Sequence, residues 1–364
     1  MHKYFRFKIR RGRQTAHACC GMLLLLFFFI SCEENEVKNP ENSLNTGRHG
    51  AFILNEGLFN QGSASLSYID DEKDTIFNEV FYKQNGFRLG DVGHSMTIID
   101  SLGYIVVNNS GKIEVIDLNS FESIQTIHGF SSPRYLCPVS PTKAYVSDLY
   151  ENKIHIVDLQ SFKITGAVNT GVPVEQMQLY RNEVFALFWS KYTTANESND
   201  KVLVINTEDD SLTDEIKVGI EPNSLVIDKN EQLWVLCSGG FDNEEEPSLF
   251  KILPGKRMVL NEYVFPEIDR SPNHLTINHS GDTLYYLNQG VYRMPVNAES
   301  LPASAFISSP AALFYTLSVN EDNQLFVGDA KDYQSRGEVM IYNAGGQKMN
   351  TYEAGIIPTS IRFR

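Results

Sequence analysis

Seven positions in this chain share a setting in which side chains can meet a ligand. His94, Arg134, Glu175, Asn223, Asn273, Tyr315 and Thr359 each follow a loop, often one with proline, and each opens an apolar run. Tyr135 and His274 stand beside two of them. Imidazoles can act as bases or metal ligands, and Arg, Glu and Asn can bond a polar organic molecule. A second set, Phe59, Tyr150, Trp189, Tyr192, Phe241 and Tyr333, lies in longer loops. Aromatic walls with a few convergent polar groups suit a medium or large organic ligand. Recognised catalytic signatures are missing: there is no nucleophile elbow, P-loop or dinucleotide fingerprint. Ser, His and Asp are too scattered to nominate a triad. His94 and His274 begin apolar runs, where a lone histidine ordinarily serves as a hydrogen-bonding group. The acidic stretch from Asp242 to Glu246 lacks the ordered ligand spacing of a calcium loop. The expectation is therefore a binding protein with no metal, no cofactor and no catalytic residue.

A repeated phrase shows what must position these residues. Ser65-Leu66-Ser67-Tyr68-Ile69-Asp70, Lys112-Ile113-Glu114-Val115-Ile116-Asp117 and Lys153-Ile154-His155-Ile156-Val157-Asp158 are its first copies. Four more begin at Lys201, Ser248, Gly290 and Glu338. Intervals of roughly 41–48 residues with several short strands each are those of propeller blades. Proline suits the first position of a strand, where no ladder donor is needed, so the ring residues should open the innermost strands. The run Ala51-Phe52-Ile53-Leu54 has no inner strand before it, and Ile361-Arg362-Phe363 has no second strand after it. Pairing the two completes a seventh blade and removes two exposed edges. The predicted fold is all-β, a seven-bladed β-propeller over residues 50–364 closed by its N- and C-terminal strands. In such a propeller the ring residues and the long aromatic loops share one face of the central channel.

The chain has 364 residues and a net charge of −14. Residues 1–31 hold Lys3, Arg6, Lys8, Arg10, Arg11 and Arg13 and then an apolar run to Ile30. That run is short for a permanent span and fits a secretory signal. Phe29-Ile30-Ser31-Cys32 resembles a bacterial lipobox, which implies lipidation at Cys32. Glu33, Glu34 and Glu36 resemble the export tag of Bacteroidetes surface lipoproteins. Residues 32–49 read as an acidic flexible tether. Without the leader the chain is more acidic still, so phosphate backbones and anionic headgroups would repel it. Nucleic acid is not expected as a partner, and membrane contact should come through lipid alone. Cys137 and Cys237 read as two lone buried thiols, with no disulfide framework or zinc spacing.

Val115-Ile116-Asp117-Leu118 and Ile156-Val157-Asp158-Leu159, each followed by a Ser-Phe turn, are similar to the YVTN/YncE-type seven-bladed propellers. Phe52-Ile53-Leu54-Asn55-Glu56-Gly57-Leu58-Phe59, with Gly62-Ser63 and Leu66-Ser67, resembles the opening blade of Bacteroidetes surface lipoproteins. Among those are the cobalamin-binding propellers of the BtuG type. The resemblance implies a non-enzymatic, lipid-anchored protein of the outer membrane that takes a corrinoid and passes it to a TonB-dependent transporter. Two alternatives stay open: a protein-interaction platform in another uptake complex, and a propeller lactonase or lyase.

Overall fold

Runs rich in Val, Ile, Tyr and Phe, broken by Asp, Asn and Gly turns, pair into short antiparallel strands. The computed structural model describes residues 46–364, apart from 48, 195, 196 and 309. The expected leader, Cys32 and most of the 32–49 tether lie outside the described residues. No helix among the described residues is long and apolar enough to cross a membrane.

The strands form seven sheets, numbered here as blades in chain order. Blade 1 runs Gly50–Asn55, Ser65–Asp70 and Thr75–Phe77, with Pro358–Phe363 as its innermost strand. Blade 2 begins at Gly93–Ile99, blade 3 at Pro133–Ser140, blade 4 at Met177–Tyr180 and blade 5 at Pro222–Ile227. Blade 6 begins at Asn273–Ile277 and blade 7 at Phe314–Val319. The expected closure is present: Ala51, Phe52 and Ile53 pair with Phe363, Arg362 and Ile361. Among the described residues, blade 6 has three strands. Its outer edge is met by a single bridge between Val291 and Ile307.

The final Asp of the repeated phrase makes the turn that follows it. Asp117 accepts the backbone N–H groups of Asn119 and Ser120 at 2.8 Å, and Asp158 accepts that of Ser161 at 2.6 Å. Such side-chain-to-backbone bonds are what select Asp at turn positions.

Seven apolar clusters hold the ring together, one between each pair of neighbouring blades. Phe52, Leu54, Leu66 and Tyr68 of blade 1 pack on Met96, Ile105, Val107 and Ile116 of blade 2. The last cluster sets Phe326, Val339 and Ile341 of blade 7 against Ala51, Ile53, Ile69 and Ile361 of blade 1. A short helix, Val80–Asn85, which the strand pattern did not announce, drops Val80 and Phe81 into the first cluster. Hydrogen bonds also stitch neighbouring innermost strands. Ser95 donates to the Arg134 carbonyl at 2.6 Å, Thr97 to Leu136 at 2.9 Å and Ser318 to Ile361 at 3.1 Å.

Candidate functional site

The ring residues sit on β-bulges at the start of the innermost strands. In blade 2, Gly93 pairs with Val107 and Ser95 with Val106, so His94 is the extra residue. Asn223 is extra between Pro222 and Ser224, and Tyr315 between Phe314 and Thr316. The register also shifts across Arg134 and Tyr135, across His274, and across Thr359. In blade 4 the Glu175 N–H donates to Leu187 at 2.9 Å while the Leu187 N–H donates to Gln176 at 3.1 Å, so two residues again face one. A bulge breaks the strict alternation of a strand and re-aims a side chain. Repeated in every blade, it directs one or two side chains toward the channel.

Those side chains meet in three groups that are coupled electrostatically to one another. The Arg134 Nε donates to both Glu175 carboxylate oxygens, at 2.8 and 2.9 Å. The pair is largely dry, with side-chain exposures of 16% and 6%. The Arg134 guanidinium stands 5.9 Å from the centre of the Trp189 ring. His94 meets Tyr135 edge to face at 4.9 Å. His274 lies 6.3 Å from Tyr315, which meets Tyr333 edge to face at 5.7 Å. The Tyr315 hydroxyl donates to Glu56 at 2.9 Å.

Two members of this network are not among the residues that the sequence singles out. Glu56 follows the first strand directly, and its only signal was a carboxylate at the mouth of the first long loop. Arg362 sits in the closing strand, where a charge inside an apolar run was visible. Its Nε donates to the Met96 carbonyl at 2.8 Å and so ties blade 1 to blade 2.

Two expected ligand contacts are committed elsewhere. The Asn223 amide donates to the Pro272 carbonyl at 2.8 Å and accepts from Ser224 at 2.7 Å. Asn273 donates to Ser271 at 2.9 Å and meets His274 Nδ1 at 2.8 Å. Both therefore build the ring rather than present free amides. Around it lies an exposed aromatic rim: Phe59, Tyr192 and Phe241 are 61%, 70% and 71% exposed. Tyr192 packs on Tyr150 with ring centres 4.6 Å apart. Lys191 reaches Glu244 at 3.4 Å and so links the loops that carry Tyr192 and Phe241. In the acidic stretch, Glu245 accepts the Ile220 N–H and Glu244 that of Asp242, so these oxygens shape their own loop.

Burial sets the charge states. It holds His94 well below the usual imidazole range, with Arg134 and His274 adding to the effect. It lowers His274 to about 4, with Arg362 adding to the effect. Burial raises the Glu56 carboxyl, against the pull of Tyr315 and Arg134. It pushes Tyr135 up to about 12, with Glu175 adding to the rise. The mouth thus offers neutral imidazoles, phenols and aromatic faces around one buried ion pair. His94 Nε2 is buried there without a hydrogen-bond partner. Cys137 and Cys237 are free and buried, as expected, and burial lifts the Cys137 thiol to about 12, far from thiolate at neutral pH.

The low value for His274 has a testable consequence. Above about pH 6.5 its imidazole is neutral in both folded and unfolded chains, so it adds no pH dependence. As pH falls from there toward 4, the unfolded chain takes up a proton that the folded one refuses, and stability drops. Below about 4 both states are protonated and the loss levels off. The full loss is on the order of 3 kcal/mol. Urea unfolding at pH 7 and pH 4.5 should show a pH effect smaller by about 2–3 kcal/mol in His274→Asn than in the parent chain. An equal effect in both would mean that water reaches this imidazole.

Where the turns of blades 5 and 6 that follow their innermost strands meet, they frame a cleft of about 420 Å³. Its charged lining residues, Lys229 and Asp282, pair with each other at 3.6 Å. Among the described residues, one place brings three His, Cys, Asp or Glu side chains to a common point. It is in blade 3, at Asp148, Glu151 and His155.

The geometry is that of a β-propeller with a decorated channel mouth. A family profile, Domain of unknown function (DUF5074), matches residues 49–300, and the chain belongs to this family. No curated protein matches the chain. Among solved structures it is similar to a quinoprotein alcohol dehydrogenase-like protein from Bacteroides thetaiotaomicron. That match has a TM-score of 0.64 and 14% identity, and covers 86% of this chain and 78% of the other. A Bacteroides uniformis protein assigned provisionally as a 6-phosphogluconolactonase gives 0.66 at 12%, covering 87% and 100%. Virginiamycin B lyase from Staphylococcus aureus gives 0.57 at 12%, covering 72% and 84%. At these identities the likeness shows the fold alone.

Proposed function

We propose that the channel mouth is a binding site for a large, part-planar organic ligand, with a corrinoid as the leading candidate. In this reading the protein is a surface lipoprotein of the outer membrane and hands its ligand to a TonB-dependent transporter. One observation carries the proposal: bulges in all seven blades aim side chains at one mouth, where a buried imidazole nitrogen lacks a partner and exposed aromatic rings form the rim. A flat macrocycle would lie on Trp189, Tyr192 and Phe241. Its peripheral amides would meet His94, Tyr135 and Tyr315 rather than the committed Asn223 and Asn273. The corrinoid choice and the transporter rest on the likeness of the opening blade to the cobalamin-binding set, and the anchor rests on Cys32.

Titrating cyanocobalamin into the full-length chain tests this by calorimetry and corrin absorption together. Binding at micromolar or tighter affinity is expected, with Trp189→Ala and Tyr192→Ala each weaker by at least about tenfold, or about 1.4 kcal/mol. No heat and no spectral change at micromolar protein would end the corrinoid reading.

A second reading, a propeller lactonase or lyase, draws on the names of two structural neighbours and on neutral His94 beside Tyr135. It requires turnover of a lactone or of virginiamycin B that His94→Gln abolishes.

A further inference from the structure

We propose that Asp148, Glu151 and His155 bind one divalent transition-metal ion of the zinc class, and that the ion clasps the loop carrying Tyr150 to the third strand of blade 3. The argument begins with the ladder. Lys143–Asp148 and Lys153–Asp158 are the second and third strands of blade 3, and His155 pairs with Val146. Side chains two residues apart share a face of a sheet, so Asp148 stands diagonally beside His155. The turn between the strands brings Glu151 over both.

The donor atoms are close enough to share an ion. His155 Nε2 lies 4.0 Å from Asp148 Oδ2 and 3.7 Å from Glu151 Oε2, and all three donors fall within 4.8 Å of one another. A tetrahedral zinc with bonds of about 2.0–2.1 Å spaces its ligands about 3.4 Å apart, so small side-chain movements suffice. An independent observation points to a ligand. His155 is 3% exposed, and its Nε2 is buried with no hydrogen-bond partner while aimed at two carboxylates. The edge of Phe130, with ring centres 5.1 Å apart, closes one side of the imidazole.

The surroundings fit a bound cation. Asp148 is oriented by the backbone N–H groups of Ser131, Ser132 and Tyr150 at 2.9, 2.8 and 2.9 Å. Ligating carboxylates are commonly held in this way. Two carboxylates then balance a divalent charge. Glu151 is the most exposed of the three and now pairs with Lys153, whose ammonium the ion would replace. One imidazole and two carboxylates favour a borderline ion such as zinc or cobalt over calcium, which takes six to eight oxygens. Tyr150 follows Asp148 by two residues and packs on Tyr192, so the ion would stiffen one arc of the aromatic rim.

The test uses full-length chain freed of metal by a chelator. Zinc chloride is titrated by calorimetry, and cobalt chloride is followed by visible absorption. One ion per chain at micromolar or tighter affinity is expected at this site. His155→Gln and Glu151→Gln should each weaken it about a hundredfold, while His94→Gln leaves it unchanged. Zinc should raise the melting temperature of the parent chain and not that of His155→Gln, with circular dichroism confirming that both fold. The inference is overturned by no zinc binding at about 100 μM, by zinc bound equally well in His155→Gln, or by preference for calcium.

Discussion

Replacing Glu175 with glutamine should destabilise the protein by about 3–5 kcal/mol, although the two side chains have nearly the same shape. The reason lies in what remains. Arg134 cannot lose its proton in a protein, and its guanidinium is largely removed from water. Burial works against that charge, but the Glu175 carboxylate, with Tyr135 and Tyr315 adding to it, outweighs burial, so the guanidinium pKa rises. Glutamine keeps an acceptor oxygen but not the negative charge. The cost is that of an uncompensated buried cation rather than the net worth of the pair. Changing both residues to methionine should therefore recover most of the loss, because a packed apolar pair carries no desolvation penalty. Urea midpoints of the parent chain, Glu175→Gln and the double methionine variant make the comparison. A loss under about 1 kcal/mol in Glu175→Gln would place the pair in the range of solvated surface bridges.

That pair also shows how far the sequence could be read. Arg134 and Glu175 were both visible as the first polar residues of successive inner strands. Their contact was not, because it joins blades 3 and 4 across the channel wall. The repeated phrase was legible for a local reason: strand alternation and the turn-making Asp both act within a few residues. Closure was legible because each terminus carried an unmatched strand. Bulges were not, since a bulge is a property of two strands in register, and His94 and Ser95 look like ordinary neighbours in the sequence. The same limit hid the roles of Asn223 and Arg362, whose partners Pro272 and Met96 belong to the next blade. The three-stranded blade 6 escaped notice because the stretch after Pro295 has the turn-rich character of an ordinary loop. Asp148, Glu151 and His155 are close in sequence, yet only the pairing of two strands turns their side chains toward each other.

Deleting residues 358–364 should prevent folding altogether. This strand is the innermost member of blade 1 and pairs along Gly50–Asn55. It also bonds to both neighbours: Arg362 donates to Met96 of blade 2, and Ser318 of blade 7 donates to Ile361. Its loss opens the ring, leaves Ala51, Ile53 and Phe326 without Ile361 and Phe363, and exposes a long apolar edge. Such an edge is a template for aggregation. A single domain is stable by only about 5–15 kcal/mol, and this change removes two inter-blade hydrogen bonds, the packing of Ile361 and Phe363, and a full ladder together. Ile361→Ala isolates the packing part and should cost about 2–5 kcal/mol in urea unfolding. Adding a peptide of residues 358–364 to the truncated chain should restore the native circular dichroism, because the missing strand needs no covalent link to fill its place. A truncated chain that melts like the parent would show that the ring stands without its clasp, and the channel mouth would then need another explanation for its shape.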